Sequence, residues 1–373
     1  MRRWNGWGDD QFNLELPKEG QRFLDERVGS AVPLADVSLD QVCAQVPDSK
    51  LPPNPACIDA AEDRVRHARG QSLADWLAMR SGDFGVFPDG VAYPESSLDV
   101  QALLQYAEEN DVALIPYGGG TSVAGHINPV DGDQPVLTVD MGRMNRLIDL
   151  DRESQIATFG AGTPGPLVES QLRALGYTLG HFPQSFELST IGGWVASRSS
   201  GQQSLRYGRI EQLFAGGRIE TLKGTLDIPT IPASSAGPDI REMILGSEGR
   251  IGLITEVKVR VTPLPAHESF HVMFFPSWDK ARTACRKLVQ NRTQLSMLRL
   301  SNATETETQL ALAGHPGMIG LLESYLGLRG AKDGKCMMTF GVTGSKRQCR
   351  NALKETRELC REFGGIYTGK KLG

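Results

Sequence analysis

Four glycine-rich segments constrain this chain more than any other feature. They lie between residues 116 and 256 of a 373-residue sequence with 42 glycines, about 11% against an ordinary value of about 7%. The first is Pro116-Tyr117-Gly118-Gly119-Gly120-Thr121-Ser122-Val123-Ala124-Gly125. It follows Val112-Ala113-Leu114-Ile115-Pro116, which reads as a short buried strand. Three consecutive glycines leave backbone N–H groups unshielded and permit positive φ, so the loop can close around an anion such as a pyrophosphate. Thr121 and Ser122 add hydroxyl donors. No Gly-Lys-Ser/Thr follows, so this is not a Walker A loop. A bare triple glycine is also compatible with a flexible turn.

The second segment, Gly160-Ala161-Gly162-Thr163-Pro164-Gly165, has the form GxGxxG between a predicted strand and a helix. A dinucleotide fingerprint also needs an acidic residue about 20 positions on, at the end of the next strand. Tyr177 to Gly180 ends without one, and Glu187 follows Pro183 in what reads as a loop. Close packing of loop on helix, or backbone contact with a flat cofactor, fits better than a nicotinamide site. The third segment, His181 to Gly201, is dense in small and hydroxyl residues and has no period until Ile191. Long structured loops inside domains are uncommon unless functional, and Ile191, Trp194 and Val195 argue for burial. The fourth, Leu245 to Glu256, is a polar turn feeding an apolar strand whose amides could bond a planar heterocycle. Alone it reads equally as a turn between strands.

Around these segments the pattern is mixed. Residues 1–87 read as an N-terminal extension, irregular but partly helical near Asp63 to Arg69. Ser96 or Ser97 caps a helix over Leu98 to Ala107. Val136 to Val139 and Gln155 to Phe159 read as strands, and Pro166 opens a helix that Gly176 closes. Thr255 to Val261 alternates as a half-buried strand does. Pro263 and Pro265 mark a boundary near 265, giving domains over 88–265 and 266–373. Beyond it, Phe270 to Phe275 and Cys336 to Val342 read as strands, and Ser277 to Gln290 and Lys346 to Phe363 as helices. The chain then reaches Lys371-Leu372-Gly373, and no further strand is expected after that last helix.

Several function classes recede. With 40 Lys plus Arg against 44 Asp plus Glu the net charge is −4, without the basic excess of a nucleic-acid binder. No stretch approaches the roughly 18 apolar residues of a membrane helix. Six cysteines with no CxxC pair suggest a reducing, cytoplasmic setting, and the N-terminus lacks the apolar core of a secretory signal. The six histidines are scattered and no GxSxG elbow occurs, so no metal site or serine nucleophile is expected.

In this order the four segments resemble the FAD-binding domain of the vanillyl-alcohol-oxidase/PCMH family. The resemblance is narrower still to the alkyldihydroxyacetonephosphate synthase family of ether-lipid flavoenzymes. It is carried by Trp4-Asn5-Gly6-Trp7-Gly8, Asp63-Arg64-Val65, Pro183 to Val195, Gly237-Pro238-Asp239-Ile240, Leu298-Arg299-Leu300 and Phe363-Gly364-Gly365, and spans essentially the whole chain.

The resemblance implies an α+β fold: a PCMH-type two-subdomain FAD-binding domain followed by an incomplete α+β cap. It implies non-covalent FAD held by Pro116, Tyr117, Gly118, Gly119, Gly120, Thr121, Ser122 and Val123. Gly162 joins them, as do Pro183, Gln184, Ser185, Phe186, Glu187, Leu188, Ser189, Gly192, Gly193, Ala196, Ser197, Arg198 and Ser199. The fourth segment contributes Glu248, Gly249, Arg250, Ile251, Gly252, Leu253 and Ile254. His126 is the one nearby candidate for a covalent flavin link. Arg299 matches an arginine the family needs for activity. The implied reaction exchanges the acyl chain of acyl-dihydroxyacetone phosphate for a long-chain alcohol, without net electron transfer to the flavin. Its hydrophobic product implies a peripheral membrane encounter, and a homodimer is admissible. The family's catalytic Tyr, a phosphate-binding Arg and a three-histidine run lie further along than this sequence extends, so the chain is expected to be an incomplete copy. A 2-hydroxy-acid dehydrogenase on the same fold and a non-catalytic flavin-binding fragment are the rivals.

Overall fold

The computed structural model describes residues 2–12, 15–31, 35–232, 234–313 and 315–370; Lys371-Leu372-Gly373 lie outside them. They divide into two compact units. One contains residues up to 12, 35–201 and 208–264; the other contains 15–31, 202–207 and 265–370. The first 87 residues are therefore shared between the units, with helix Lys18–Val28 in the second.

The first unit is built on two sheets. Strands Gly90–Ala92, Val136–Asp140 and Ala113–Tyr117 form a parallel sheet with Val136–Asp140 in the middle. An unbroken apolar run suits a strand covered on both faces, and Val136, Leu137, Thr138 and Val139 are all buried. Helix Ser97–Asn110 lays Val100, Leu103, Leu104 and Ala107 on that core. Its cap is Ser96 rather than Ser97. The Ser96 hydroxyl accepts from the Asp99 N–H while the Asp99 carboxylate accepts from the Ser96 N–H at 2.9 Å.

The second sheet is antiparallel, in the order Leu147–Asp151, Ile156–Gly160, Leu253–Arg260, Phe214–Thr221, Gly224–Ile228. In Leu253–Arg260 the expected alternation holds: Val257 and Val259 face the core while Glu256, Lys258 and Arg260 face outward. Phe214–Thr221 carries no comparable pattern. Gly216 and Gly217 interrupt its side-chain period, and its register shifts twice along Leu253–Arg260. Phe159, Trp194, Val195, Phe214 and Val257 anchor the core on this sheet.

The second unit has a four-stranded antiparallel sheet in the order Met297–Ser301, Cys336–Gly344, His267–Phe275, Ile366–Lys370. Helices Trp278–Gln290 and Lys346–Glu362 cover one face, burying Ala281, Ala284, Leu288, Cys349, Ala352 and Cys360 against Met273, Phe275, Met338 and Phe340. Phe274 and Ile366 pack on the other face against Leu326 of helix Pro316–Leu328. The expectation that no strand follows Lys346–Glu362 is corrected by Ile366–Lys370, which pairs antiparallel with His267–Phe275. Gly364, at φ +76°, reverses the chain, and Ile366, Tyr367 and Thr368 suit an edge strand.

Candidate functional site

The four glycine-rich segments converge within the first unit because their backbones touch. Ile191 donates to the Thr163 carbonyl at 2.9 Å and Gly192 to the Ala161 carbonyl at 2.8 Å, tying the second segment to the third. Gly246 donates to Val195 and Glu248 to Ala196, both at 3.0 Å, tying the fourth to the third. A methyl group on Gly119 would strike the Leu188 carbonyl and come within 2.9 Å of the Ser189 Cα, so only glycine lets the first segment lie on the third. Glu248 and Arg198 both adopt positive φ, at 51° and 52°, an uncommon conformation for residues with side chains and one often found beside functional clefts.

The junction encloses a cleft of about 350 Å³. Its wall contains Pro116, Tyr117, Gly118, Gly119, Gly120, Thr121, Ser122 and Val123 from the first segment. The third contributes Ser185, Ser189, Gly192, Gly193, Ala196, Ser197 and Ser199, and the fourth Glu248, Gly249, Gly252 and Ile254. Pro183, Gln184, Phe186, Glu187, Leu188, Arg198, Arg250, Ile251 and Leu253 lie outside the wall. Their neighbours explain this. Phe186 stacks on Trp194 with ring centroids 6.4 Å apart, Arg198 pairs with Glu242 at 2.6 Å, and Leu253 is buried in the core beside Val100. In the second segment Ala161 lines the cleft and Gly162 does not; Gly162 instead lies against the Met141 carbonyl, where a side chain has no room. Arg299 belongs to the second unit, on strand Met297–Ser301, where its guanidinium meets Glu305 at 2.5 Å.

Ile127, Met141, Thr190 and Trp194 also line the cleft. Thr190 carries a readable signal, because its hydroxyl caps helix Ile191–Ala196 by accepting from the Gly193 N–H. Ile127 and Met141 carry none; they arrive from turns whose apolar residues look like ordinary core. His126 stands at the wall with its Nδ1 3.2 Å from the Ser122 hydroxyl and 4.0 Å from Glu248.

The donor set suits a phosphate-bearing planar cofactor. Among the described residues, the backbone N–H groups of Gly119, Gly120, Thr121, Ser122 and Val123 donate to no other protein group. Unpaired amides in succession form an anion-binding nest. Small side chains on the opposite wall let a flat ring approach the backbone. Tyr117, His126 and Glu248 are the titratable residues of the wall, and burial pushes the Tyr117 phenol up, so it stays neutral at physiological pH. At the head of the third segment, His181 shares a hydrogen bond of 2.8 Å with Ser199 and lies 5.0 Å from the Trp194 ring. Burial holds His181 down at about 4, so it is uncharged near neutral pH.

Comparison with known proteins agrees with this donor set. Residues 88–227 match the FAD binding domain model, and residues 264–370 match that of the C-terminal domain of FAD linked oxidases. The chain belongs to the PCMH-type FAD-linked oxidases, and FAD is its cofactor. Within that family it is similar to alkyldihydroxyacetonephosphate synthases. It is 31% identical to the Dictyostelium discoideum synthase, over 92% of this chain and 64% of that protein. It is 28% identical to the Trypanosoma brucei brucei synthase, over 100% of this chain and 67% of that protein. A solved structure of an alkyldihydroxyacetonephosphate synthase superposes with a TM-score of 0.90 at 28% identity, covering 100% of this chain and 74% of that one. The chain thus spans about two thirds of the length of the curated relatives it matches.

Proposed function

We propose that this chain carries the flavin site of an alkyldihydroxyacetonephosphate synthase, the enzyme that exchanges the acyl chain of acyl-dihydroxyacetone phosphate for a long-chain alcohol. The observation that supports it most is similarity to a solved synthase over the whole of this chain, across both units. In this reading the amides of Gly119 to Val123 hold the FAD pyrophosphate, and Ser189, Gly192, Gly193 and Ser197 line the ring's approach. The flavin is non-covalent: His126 serves as a polar wall residue engaged with Ser122 rather than as a ring attachment point. Bound FAD supplies the electrophilic centre of the exchange, with no net redox change. Arg299, half exposed and steadied by Glu305, provides a fixed cation for an anionic part of the substrate.

Among the described residues no helix is long and apolar enough to cross a membrane. Helix Pro316–Leu328 nevertheless exposes Met318, Leu321 and Leu328, the last at 88%. That surface supports peripheral contact with the lipid in which both substrate chains dissolve.

Anaerobic mixing of the FAD-loaded protein with palmitoyl-dihydroxyacetone phosphate tests the reading. The expected result is a flavin spectrum shifted by the acyl substrate without lasting bleaching. Bleaching by D-lactate or another 2-hydroxy acid, with no response to the acyl substrate, would replace the synthase with a dehydrogenase.

A further inference from the structure

Behind the glycine loop, still within the first unit, lies a second cavity of about 300 Å³. Four arginines face it: Arg2, Arg3, Arg66 and Arg69. One carboxylate does, that of Asp140, and it is already engaged. It lies 2.9 Å from His67 Nε2 and accepts from the Gly142 N–H at 2.7 Å. Two of the arginines also have carboxylate neighbours, Arg66 with Glu62 at 2.8 Å and Arg3 with Asp10 at 3.8 Å. Arg2 and Arg69 have none among the described residues. Arg69 Nε is fully buried and has no hydrogen-bond partner. A guanidinium nitrogen removed from water and left without an acceptor is costly, and the usual remedy is an oxyanion.

The cavity is joined physically to the flavin loop. Tyr117 lines both spaces. The Tyr117 hydroxyl donates to the Arg66 carbonyl at 3.4 Å, and the Arg2 guanidinium passes 3.0 Å from where a Cβ on Gly120 would stand.

From this we infer a second anion site, distinct from the flavin cleft, for a tetrahedral phosphate group. The ligand is a free phosphate or the headgroup of a small phosphomonoester. Planar guanidinium forks match two phosphate oxygens at a time, and the Trp4 indole, also on the wall, offers an apolar surface to a short organic tail. An occupant would brace the loop from behind through Arg2 and Tyr117.

The test uses FAD-saturated protein, so that the amides of the glycine loop are already taken. Equilibrium dialysis against labelled inorganic phosphate, at ionic strength fixed with chloride, should show one saturable site per chain. Arg69→Gln should weaken it about tenfold or more while flavin content stays unchanged, the loss expected for one charge-assisted contact. Arg2→Gln, in the N-terminal segment, should weaken it as well and serves if Arg69→Gln does not fold. Competition by glycerol 3-phosphate more tightly than phosphate would identify an esterified ligand; phosphate preferred over the ester would identify the free anion. Absence of saturable binding, binding indifferent to both substitutions, or displacement of the label by added FAD would overturn the proposal.

Discussion

The two units solve the problem of cohesion in opposite ways. Around the flavin cleft, chain segments meet backbone to backbone: Gly119 on Leu188, Gly162 on Met141, Gly192 on Ala161. In the second unit the sheet is held by bulk, with Phe275, Met338 and Phe340 wedged under two amphipathic helices. The first device leaves amides free for a ligand and tolerates no added atom. The second spends its surface on side-chain contacts and leaves few amides open. A ligand site made of main chain must therefore be written in glycine, whereas a packed layer can be written in many apolar alphabets.

The most severe test of that contrast is Gly119→Ala. The new methyl meets backbone, which cannot rotate away as a side chain could. Flavin binding should be lost, read as a colourless purified protein that still shows native circular dichroism. Retained flavin at full stoichiometry would mean that the close approach is dispensable and the comparison misplaced. The matching change in the second unit is Phe275→Ala. It empties a fully buried position and should cost about 3–5 kcal/mol. Chemical denaturation should show the loss, and flavin content under native conditions should be preserved.

A pH series separates the two regions next. His181, beneath the flavin wall, sits at about 4 when folded against roughly 6.5 in an unfolded chain. Between those values the unfolded chain binds a proton that the folded chain refuses, so stability falls as pH drops from 6.5 towards 4 and is unaffected by this group below that. The full shift corresponds to roughly 3 kcal/mol. His181 also holds Ser199, a wall residue, so acid should release flavin in the same window. His181→Phe, uncharged at every pH, should flatten the stability curve there. An unchanged curve would show that some other group drives the acid response. His271 in the second unit is also pushed down by burial, and its ring is shared with Tyr367 and Ser269.

The same contrast explains what could be read from the residues. Segments whose glycines are required by close approach announced themselves, and the structure brings all four to one cleft. What failed was resolution within a turn: Ala161 lines the wall and Gly162 packs behind it, because alternate residues of a tight turn face opposite ways. Met141 and Ile127 reach the wall from turns with no local signature. Elsewhere glycine concealed structure. Phe214–Thr221 is an inner strand hidden by Gly216 and Gly217, and helix Pro316–Leu328 is hidden by Gly317, Gly320 and Gly327. Strand Ile366–Lys370 is not legible in the sequence because five residues at an edge, one of them Gly369, hold too little periodicity to stand out.

The smallest expected effect asks whether local rules act equally in both units. Ser96 and Ser345 each close a capping box at the start of a helix, over Ser97–Asn110 and Lys346–Glu362. Replacing either with Ala removes one acceptor for an end N–H and should cost about 1 kcal/mol. The helices differ in what surrounds that cost. Ser97–Asn110 leans on a parallel sheet that directly precedes the flavin loop, because strand Ala113–Tyr117 runs into Gly118. Lys346–Glu362 leans on a side-chain layer of the second unit, whose strands do not run into that loop. Fraying after Ser96→Ala should therefore also weaken flavin affinity, measurably but by well under tenfold, while Ser345→Ala should lower stability alone. Equal effects on flavin from both substitutions would show that the loop senses global stability, not the strand that carries it.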